Sequence, residues 1–315
     1  MHEPRVVCVT GASGFLGRHL VRALQGESGT VLRTLSRGGP HDGHTQFRGD
    51  LQDAASLRGF VDGAAVLINL VNPADAPDEG AHADAIRHLA EAARQAGVSR
   101  VLHVSTAVVV GRCNALRIDE DTPCRPRTEY EHRKGLAERL LAEHLGPAVD
   151  LGIIRPTAIV GEGSANLRKL ASLIAHGPAW KRHALRVIHG HRQMHLVPVE
   201  RVLAALRMLA KDPRPLAGAT FVVSADDDPL NRYQAIDARL GQLLGKPLAG
   251  NTPAAPTWLL RFALRMLGRS LCDPRQRFSD ARLVAYGLAD RHSLDAALAA
   301  FARGFAADRG AERAR

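Results

Sequence analysis

Tyr130 and Lys134 stand four positions apart in Tyr-Glu-His-Arg-Lys, where a helical pattern opens and continues through Leu136, Leu140 and Leu141. Residues at that spacing share one helical face, one turn from each other. A neighbouring ammonium favours a phenolate and lowers a tyrosine pKa from about 10 toward working pH. Such a tyrosine passes a proton to or from an alcohol or sugar oxygen while a hydride moves to or from a nicotinamide. Alone, Tyr-x-x-x-Lys marks no more than an exposed helix face. Its weight comes from Ser105-Thr106, which ends the strand-like run RVLHVS. The Thr106 hydroxyl is placed to hold the same oxygen by a hydrogen bond.

A second group of residues suits a nucleotide. The β-branched run at residues 6–10 ends in Gly11-Ala12-Ser13-Gly14-Phe15-Leu16-Gly17. An amphipathic helix follows, with Leu16, Leu20, Val21 and Leu24 on one side and Arg18, His19 and Arg22 on the other. Strand, glycine turn and helix form the entry to a dinucleotide-binding βαβ unit, in which the backbone approaches a pyrophosphate held at the helix N-terminus. The spacing is Gly-x-x-Gly-x-x-Gly rather than the Gly-x-Gly-x-x-Gly of most Rossmann dehydrogenases. After the second strand, at residues 30–35, such a fold selects its coenzyme. An acidic residue there would bind the ribose hydroxyls of NAD, whereas an arginine suits the extra phosphate of NADP. Arg37 is present, with no Asp or Glu from residue 31 to residue 40, so NADP is expected and NAD remains open. Asp50 either accepts from an adenine amino group or serves as a turn or helix-cap residue.

These residues need a scaffold. Strand patterns at residues 6–10, 30–35, 46–48, 65–70 and 100–105 alternate with helical ones at 54–60 and 82–96, and a proline-containing loop spans 71–80. The expected fold is α/β, a doubly wound parallel sheet with a smaller C-terminal α/β substrate-binding lobe. The expected domains are a dinucleotide-binding domain at 1–160 and a mainly substrate-binding lobe at 161–305, with segments returning to the core near 196–224. Residues 306–315 read as a frayed basic tail.

Composition narrows the partners. The chain has 315 residues, 45% apolar and 23% charged, with a net charge of +10. The arginines are scattered, and aromatics make up only 4%, too few for a base-stacking platform. A generally basic protein is therefore the first reading and one with an anionic small-molecule ligand the second; nucleic acid is not expected. Cys8, Cys113, Cys124 and Cys272 have no paired spacing that would indicate zinc or a disulfide framework, so no metal is expected. No apolar run reaches spanning length and no leader pattern precedes the first strand, which reads as a cytoplasmic protein without a membrane span.

Taken together, TGASGFLG, Gly49-Asp50-Leu51, AEAARQAGVSRVLHVST, Tyr130 with Lys134, and IIRPTAIVGEG resemble the extended short-chain dehydrogenase/reductases. These are NAD(P)-dependent epimerases, dehydratases and reductases acting mostly on nucleotide sugars. The resemblance runs from about residue 6 to residue 202. It implies that Thr106, Tyr130 and Lys134 form the catalytic set, with Tyr130 as acid/base and Lys134 holding the nicotinamide ribose. Gly11, Gly14, Phe15, Leu16 and Gly17 would line the pyrophosphate turn, Asp50 and Leu51 the adenine, and Leu70 and Pro156 the ribose and nicotinamide. It also implies a homodimer built on residues 82–96 and 130–143, through Ile86, Leu89, Leu136 and Leu140. His82 stands where relatives often have Asn, and Val110 where a Tyr commonly precedes the glycine, here Gly111. The acidic pair of the dehydratases is replaced by Ala107-Val108, which argues against dehydration.

The last third is expected to choose the substrate. HGHRQMH at residues 189–195 reads as a loop near substrate rather than a metal site, and Arg192 is a candidate for a substrate phosphate. The apolar run at 258–267 carries Arg261, Arg265 and Arg269 on one side. It reads as a buried helix with an arginine stripe to solvent, ahead of a membrane-surface helix or a diphosphate-binding face. The expected activity is NADPH-dependent reduction of a 4-keto nucleotide sugar. A 4-epimerase with tightly held NAD is one alternative, and a non-catalytic NADP-binding regulator is another.

Overall fold

The computed structural model describes residues 4–38, 45–71, 78–248, 252–266, 270–271, 273–289 and 292–313. Cys272, Arg269 and the middle of the 71–80 loop lie outside them. In chain order the elements are β1 Arg5–Thr10, α1 Phe15–Gln25, β2 Thr30–Ser36, β3 Thr45–Arg48, α2 Ala54–Val61, β4 Val66–Asn69, α3 Glu79–Gln95 and β5 Arg100–Val104. Next come β6 Arg117–Ile118, α4 Glu129–Leu145, β7 Asp150–Pro156, β8 Ala158–Val160, α5 Arg168–His176, α6 Ala179–His189, β9 Leu196–Pro198 and α7 Val199–Lys211. The chain continues through β10 Thr220–Val223, α8 Tyr233–Leu243, α9 Thr257–Met266, β11 Arg277–Phe278, α10 Ala281–Tyr286 and α11 Leu294–Arg313.

Seven strands form one sheet in the order β10-β7-β5-β4-β1-β2-β3. The pairs β1–β2, β2–β3, β1–β4, β4–β5 and β5–β7 are parallel. From β1 the chain winds outward to β3 and then returns to β4 on the other side. This reversal opens a crevice at the carboxyl ends of β1 and β4, the place where open α/β sheets hold ligands. Every residue of β4 and β5 is buried, as parallel strands covered by helices on both faces must be.

The chain divides into two compact units. One comprises Met1–Val109, Pro126–Arg155 and Leu203–Phe221, and the other Val110–Arg125, Pro156–Val202 and Val222–Arg315. Most of α7 therefore belongs with the sheet, and β6 belongs with the second unit. In the first unit Phe60, Leu67, Ile86, Leu89, Val101 and Leu141 make the core between helices and sheet. Helices α3 and α4 are packed against each other within the chain. Ile86, Leu89 and Leu140 are buried in that core and Leu136 packs on it, so the face expected to make a dimer is already covered. His82 is buried too, its Nε2 3.2 Å from the Arg133 carbonyl oxygen, which links α3 to α4.

The second unit has two small parallel ladders, β8–β9 and β6–β11. Its core joins α5, α8 and α11 through Ile174, Ile236, Leu240, Leu298, Phe301 and Phe305. Helix α6 was not legible in the sequence because its inward side chains are Arg182 and Arg186. Arg182 makes a two-pronged pair with the fully buried Asp237 of α8 at 2.9 and 3.0 Å. Helix α9 also differs from expectation. Arg261 and Arg265 do face solvent, but so do Trp258, Leu259, Phe262 and Met266, and among the helix's described side chains only Leu260 and Leu264 are buried. Helix α11 runs to Arg313, so residues 306–313 continue a helix instead of fraying.

Candidate active site

The glycine turn sits at the crevice. Gly11 has φ +71°, in the left-handed region that glycine enters without strain, and a Cβ there would press on Leu70 and Val71 at the end of β4. Gly14 is the N-cap of α1, and its N–H donates to the Gly11 carbonyl at 3.1 Å. A Cβ on Gly17 would lie 2.7 Å from the Ala12 Cα and closer still to the Gly11 carbonyl oxygen. The first turn of α1 therefore lies directly on the glycine loop, with no room for a side chain at Gly17. Phe15 and Leu16 are half-buried in that turn, and the Phe15 ring meets His19 edge-on at 5.0 Å.

Beneath the crevice lies a buried polar chain. The Thr10 hydroxyl donates to Asn69 Oδ1 at 2.6 Å, and the Val71 N–H donates to the same oxygen at 3.2 Å. A backbone N–H only donates, so the Asn69 amide is fixed with Nδ2 toward His103 Nδ1, 3.1 Å away. His103 carries its proton on Nε2, which has no hydrogen-bond partner. Burial, with Lys134 and His82 nearby, holds its pKa well below the ordinary histidine value. It is a neutral imidazole. Only the polar residue types at strand ends could have signalled this chain, and their separation along the sequence hides the connection.

The residues expected to transfer the proton gather at the end of β5. Thr106 follows that strand and leads into a tight turn at Ala107–Val110. Helix α4 starts with a capping box: the Glu131 N–H donates to the Thr128 hydroxyl at 3.2 Å, and the Thr128 N–H donates to the Glu131 carboxylate at 3.2 Å. Tyr130 lies within this fastened first turn, near enough to the Thr106 hydroxyl for that group to favour its phenolate. One turn deeper, the Lys134 ammonium is buried and donates to the Val104 carbonyl at 2.9 Å. Glu138, another turn on, takes a two-pronged bond from Arg155 at 3.0 and 2.6 Å.

The expected tuning of Tyr130 by Lys134 needs correcting. Tyr130 is 48% exposed, yet burial of its surroundings pushes its pKa up, and the Thr106 hydroxyl only partly opposes this. Lys134 is itself pulled down to about 8 by burial, with Glu138 pushing the other way. Its ammonium is committed to the Val104 carbonyl, not to the phenol.

The remaining expected residues are placed as follows. Arg37 is exposed just beyond β2. Asp50 accepts from the Gln52 N–H at 3.0 Å, the turn role rather than the helix cap, which falls to Asp53. The Leu51 side chain is in the core, while its carbonyl meets His88 Nδ1 at 3.0 Å. Leu70 borders Gly11. Pro156 is buried in the second unit, which also holds Arg192, half-buried. Within that unit His195 has a carboxylate partner that the sequence did not suggest, Asp226, 2.6 Å from its Nδ1. His189 stacks on Tyr233 at 4.6 Å. Among the described residues no group of three His, Cys, Asp or Glu is arranged to hold a metal ion.

The family model for the NAD dependent epimerase/dehydratase family matches residues 7–224, from β1 through the last strand of the sheet. The chain belongs to that family. It is an NAD(P)-dependent enzyme with the extended short-chain dehydrogenase/reductase fold. Among the relatives of this epimerase/dehydratase chain is the human 3 beta-hydroxysteroid dehydrogenase type 7, 30% identical over 291 residues, 82% of this chain and 78% of that protein. The 4-hydroxy-2-methyl-3-oxo-4-farnesyl-3,4-dihydroquinoline-1-oxide ketoreductase of Stigmatella aurantiaca is 27% identical over 296 residues, 84% of this chain and 86% of that protein. The structure of MoeE5 in complex with UDP-glucuronic acid and NAD shares the fold, with a TM-score of 0.70 and 22% identity over 96% of this chain and 99% of that one.

Proposed function

We propose that the chain interconverts a secondary alcohol and a ketone, with Tyr130 as the proton carrier. The Tyr130 hydroxyl near the Thr106 side chain, with the buried Lys134 one helical turn on, carries this reading. In the reducing direction the carbonyl oxygen takes the Tyr130 proton as the phenol lets it go, and the Thr106 hydroxyl holds that oxygen in line. A nicotinamide coenzyme, when bound, supplies the hydride that the carbonyl carbon accepts. The turn at Gly11, Gly14 and Gly17 fits its pyrophosphate, with Phe15 and Leu16 alongside. Asp50, Leu51, Leu70 and Pro156 are assigned to the same coenzyme by resemblance, and Lys134 to its ribose. Arg37 favours NADPH, because an exposed guanidinium at the end of β2 suits a ribose phosphate.

For substrate, the first reading is a 4-keto nucleotide sugar. The second unit supports it with a cavity of about 620 Å³ in which Arg117, Arg275 and Arg277 outnumber Asp227 and Asp280 beside Phe278, a net basic lining that suits a nucleoside diphosphate. Arg192 is assigned to the same phosphates. A 4-epimerase would use the same residues with NAD retained. The second reading is an apolar ring alcohol or ketone, favoured by the hydroxysteroid dehydrogenase and quinoline ketoreductase relatives, which match most of the chain. A homodimer would have to use the polar outer sides of α3 and α4, where Asp84, Arg87, Arg94, Arg139 and Glu143 are exposed. A coenzyme-dependent reaction needs a compartment that holds the coenzyme, so a cytoplasmic location belongs to this reading.

The test is nicotinamide absorbance with purified protein and Tyr130→Phe, using 4-keto nucleotide sugars with NADPH and a 3-hydroxysterol with NADP and NAD. Turnover of a sugar, lost in Tyr130→Phe, supports the first reading; turnover of the sterol replaces it with the second. Nicotinamide binding without turnover of either, equal in both proteins, supports the regulator and refutes the proposal. Retained NAD released from the purified protein marks the epimerase.

A further inference from the structure

Nine large apolar side chains are exposed among the described residues, and four of them lie on the ten-residue helix α9. Trp258 is 69% exposed, Leu259 47%, Phe262 60% and Met266 72%. At about 100° per residue these four fall within a single arc of about 100°. Leu260 and Leu264 point the other way and are buried, so the helix is held to its unit by one side and offers apolar surface on the opposite one. Arg261 and Arg265 border the apolar arc and are exposed. Helix α6 adds Trp180, 71% exposed, and Ile188, 46% exposed, with Lys181 beside them.

The two helices are joined. The Ala255 N–H, just ahead of α9, donates to the Val187 carbonyl of α6 at 2.8 Å. Gln234 Nε2 of α8 donates to the carbonyls of both Arg186 and Thr252, each at 3.0 Å. The chain contains no Asp or Glu between Glu162 and Glu200, nor between Asp237 and Asp273. Helices α6 and α9 are therefore free of acidic side chains. The described residues form no helix long and apolar enough to cross a membrane.

We propose that α9, with the outer side of α6, is a contact surface for an anionic lipid bilayer, on which α9 lies in the headgroup plane. An apolar stripe with tryptophan and phenylalanine, bordered by arginine and without acids, is the composition that such a position rewards. The rings and Leu/Met chains enter the acyl boundary while the guanidiniums meet lipid phosphates. A second copy of the chain fits less well, because a two-fold contact would set the same net basic surface against itself, with Asp273 at 3.4 Å from Arg261 the acid at its border.

The chain has two tryptophans, Trp180 and Trp258, and both belong to this surface, so its own fluorescence reports the contact. The full chain is titrated with vesicles of phosphatidylcholine alone and of phosphatidylcholine mixed with phosphatidylglycerol. Expected are a blue shift and quenching by brominated acyl chains, with binding about tenfold or more tighter to the anionic vesicles and weakened by salt. Phe262→Ser with Met266→Ser should cut partitioning about tenfold or more. Arg265→Glu should weaken binding to the anionic vesicles alone. Unchanged circular dichroism and melting would show both variants folded. The proposal is overturned by an absent shift with anionic vesicles at low salt, or by binding that survives the Phe262/Met266 replacement. A dimer that dissociates in that variant would make the occupant a second copy. A shift with single-stranded DNA and none with vesicles would make it a nucleic acid.

Discussion

Lys134→Met should make the coenzyme-free protein more stable while ending its activity. Lys134 is 5% exposed and its pKa stands at about 8, against an ordinary value of 10.5. Each pKa unit is worth about 1.36 kcal/mol, so keeping this ammonium charged at pH 7 costs the folded state about 3 kcal/mol. Methionine loses the bond to the Val104 carbonyl, about 1.5–3 kcal/mol for a charged donor. It fills similar space, and Glu138 keeps Arg155. The net gain is about 0–1.5 kcal/mol at pH 7. The unfolded chain binds more protons than the folded one between about pH 8 and 10.5, so the lysine penalty is full below that window and fades through it. The advantage of the variant should thus shrink to nothing or reverse by about pH 10. Urea unfolding without coenzyme measures it, followed by circular dichroism because both tryptophans lie in the other unit. A variant less stable than wild type at pH 7, or a difference that ignores pH, would refute this account of Lys134.

Tyr130→Phe should lower the hydride-transfer rate by about 10²–10⁴-fold with coenzyme affinity unchanged, read by single-turnover absorbance and calorimetry. Gly17→Ala should abolish coenzyme binding and cost about 1–3 kcal/mol in melting or urea experiments, because the added methyl overlaps the Gly11 carbonyl. Arg37→Asp should lower the preference for NADPH over NADH about ten- to a hundredfold, measured as the ratio of kcat/KM values; an unchanged ratio would make Arg37 a bystander. Glu138→Ala should cost about 3–5 kcal/mol, since it strands Arg155 at an interior pair.

The sheet was legible because its strands are short β-branched runs bounded by glycine turns and alternating with amphipathic helices. The glycine turn at residues 11–17 and the Thr106–Tyr130–Lys134 order were legible for the same reason: local spacing carries them. What escaped is what depends on distant partners. Helix α6 buries two arginines, so no apolar period marks it, and only Asp237 far along the chain explains why those charges turn inward. The direction of the Tyr130 pKa escaped because the lysine one turn away finds a backbone carbonyl first. The Thr10–Asn69–His103 chain joins three strand ends that are far apart in sequence. The exposed stripe on α9 reads in one dimension like any core helix; which side is covered depends on where Leu260 and Leu264 find neighbours.

Thr128 and Glu131 form the capping box that holds the turn carrying Tyr130, the proposed proton carrier. Should their reciprocal bonds open, the start of α4 unwinds and carries the Tyr130 hydroxyl off Thr106, while Lys134, deeper in the helix, stays seated. Turnover is then throttled by fraying at a helix end rather than by the chemistry itself, and on warming the catalyst would fall silent well before the protein melts.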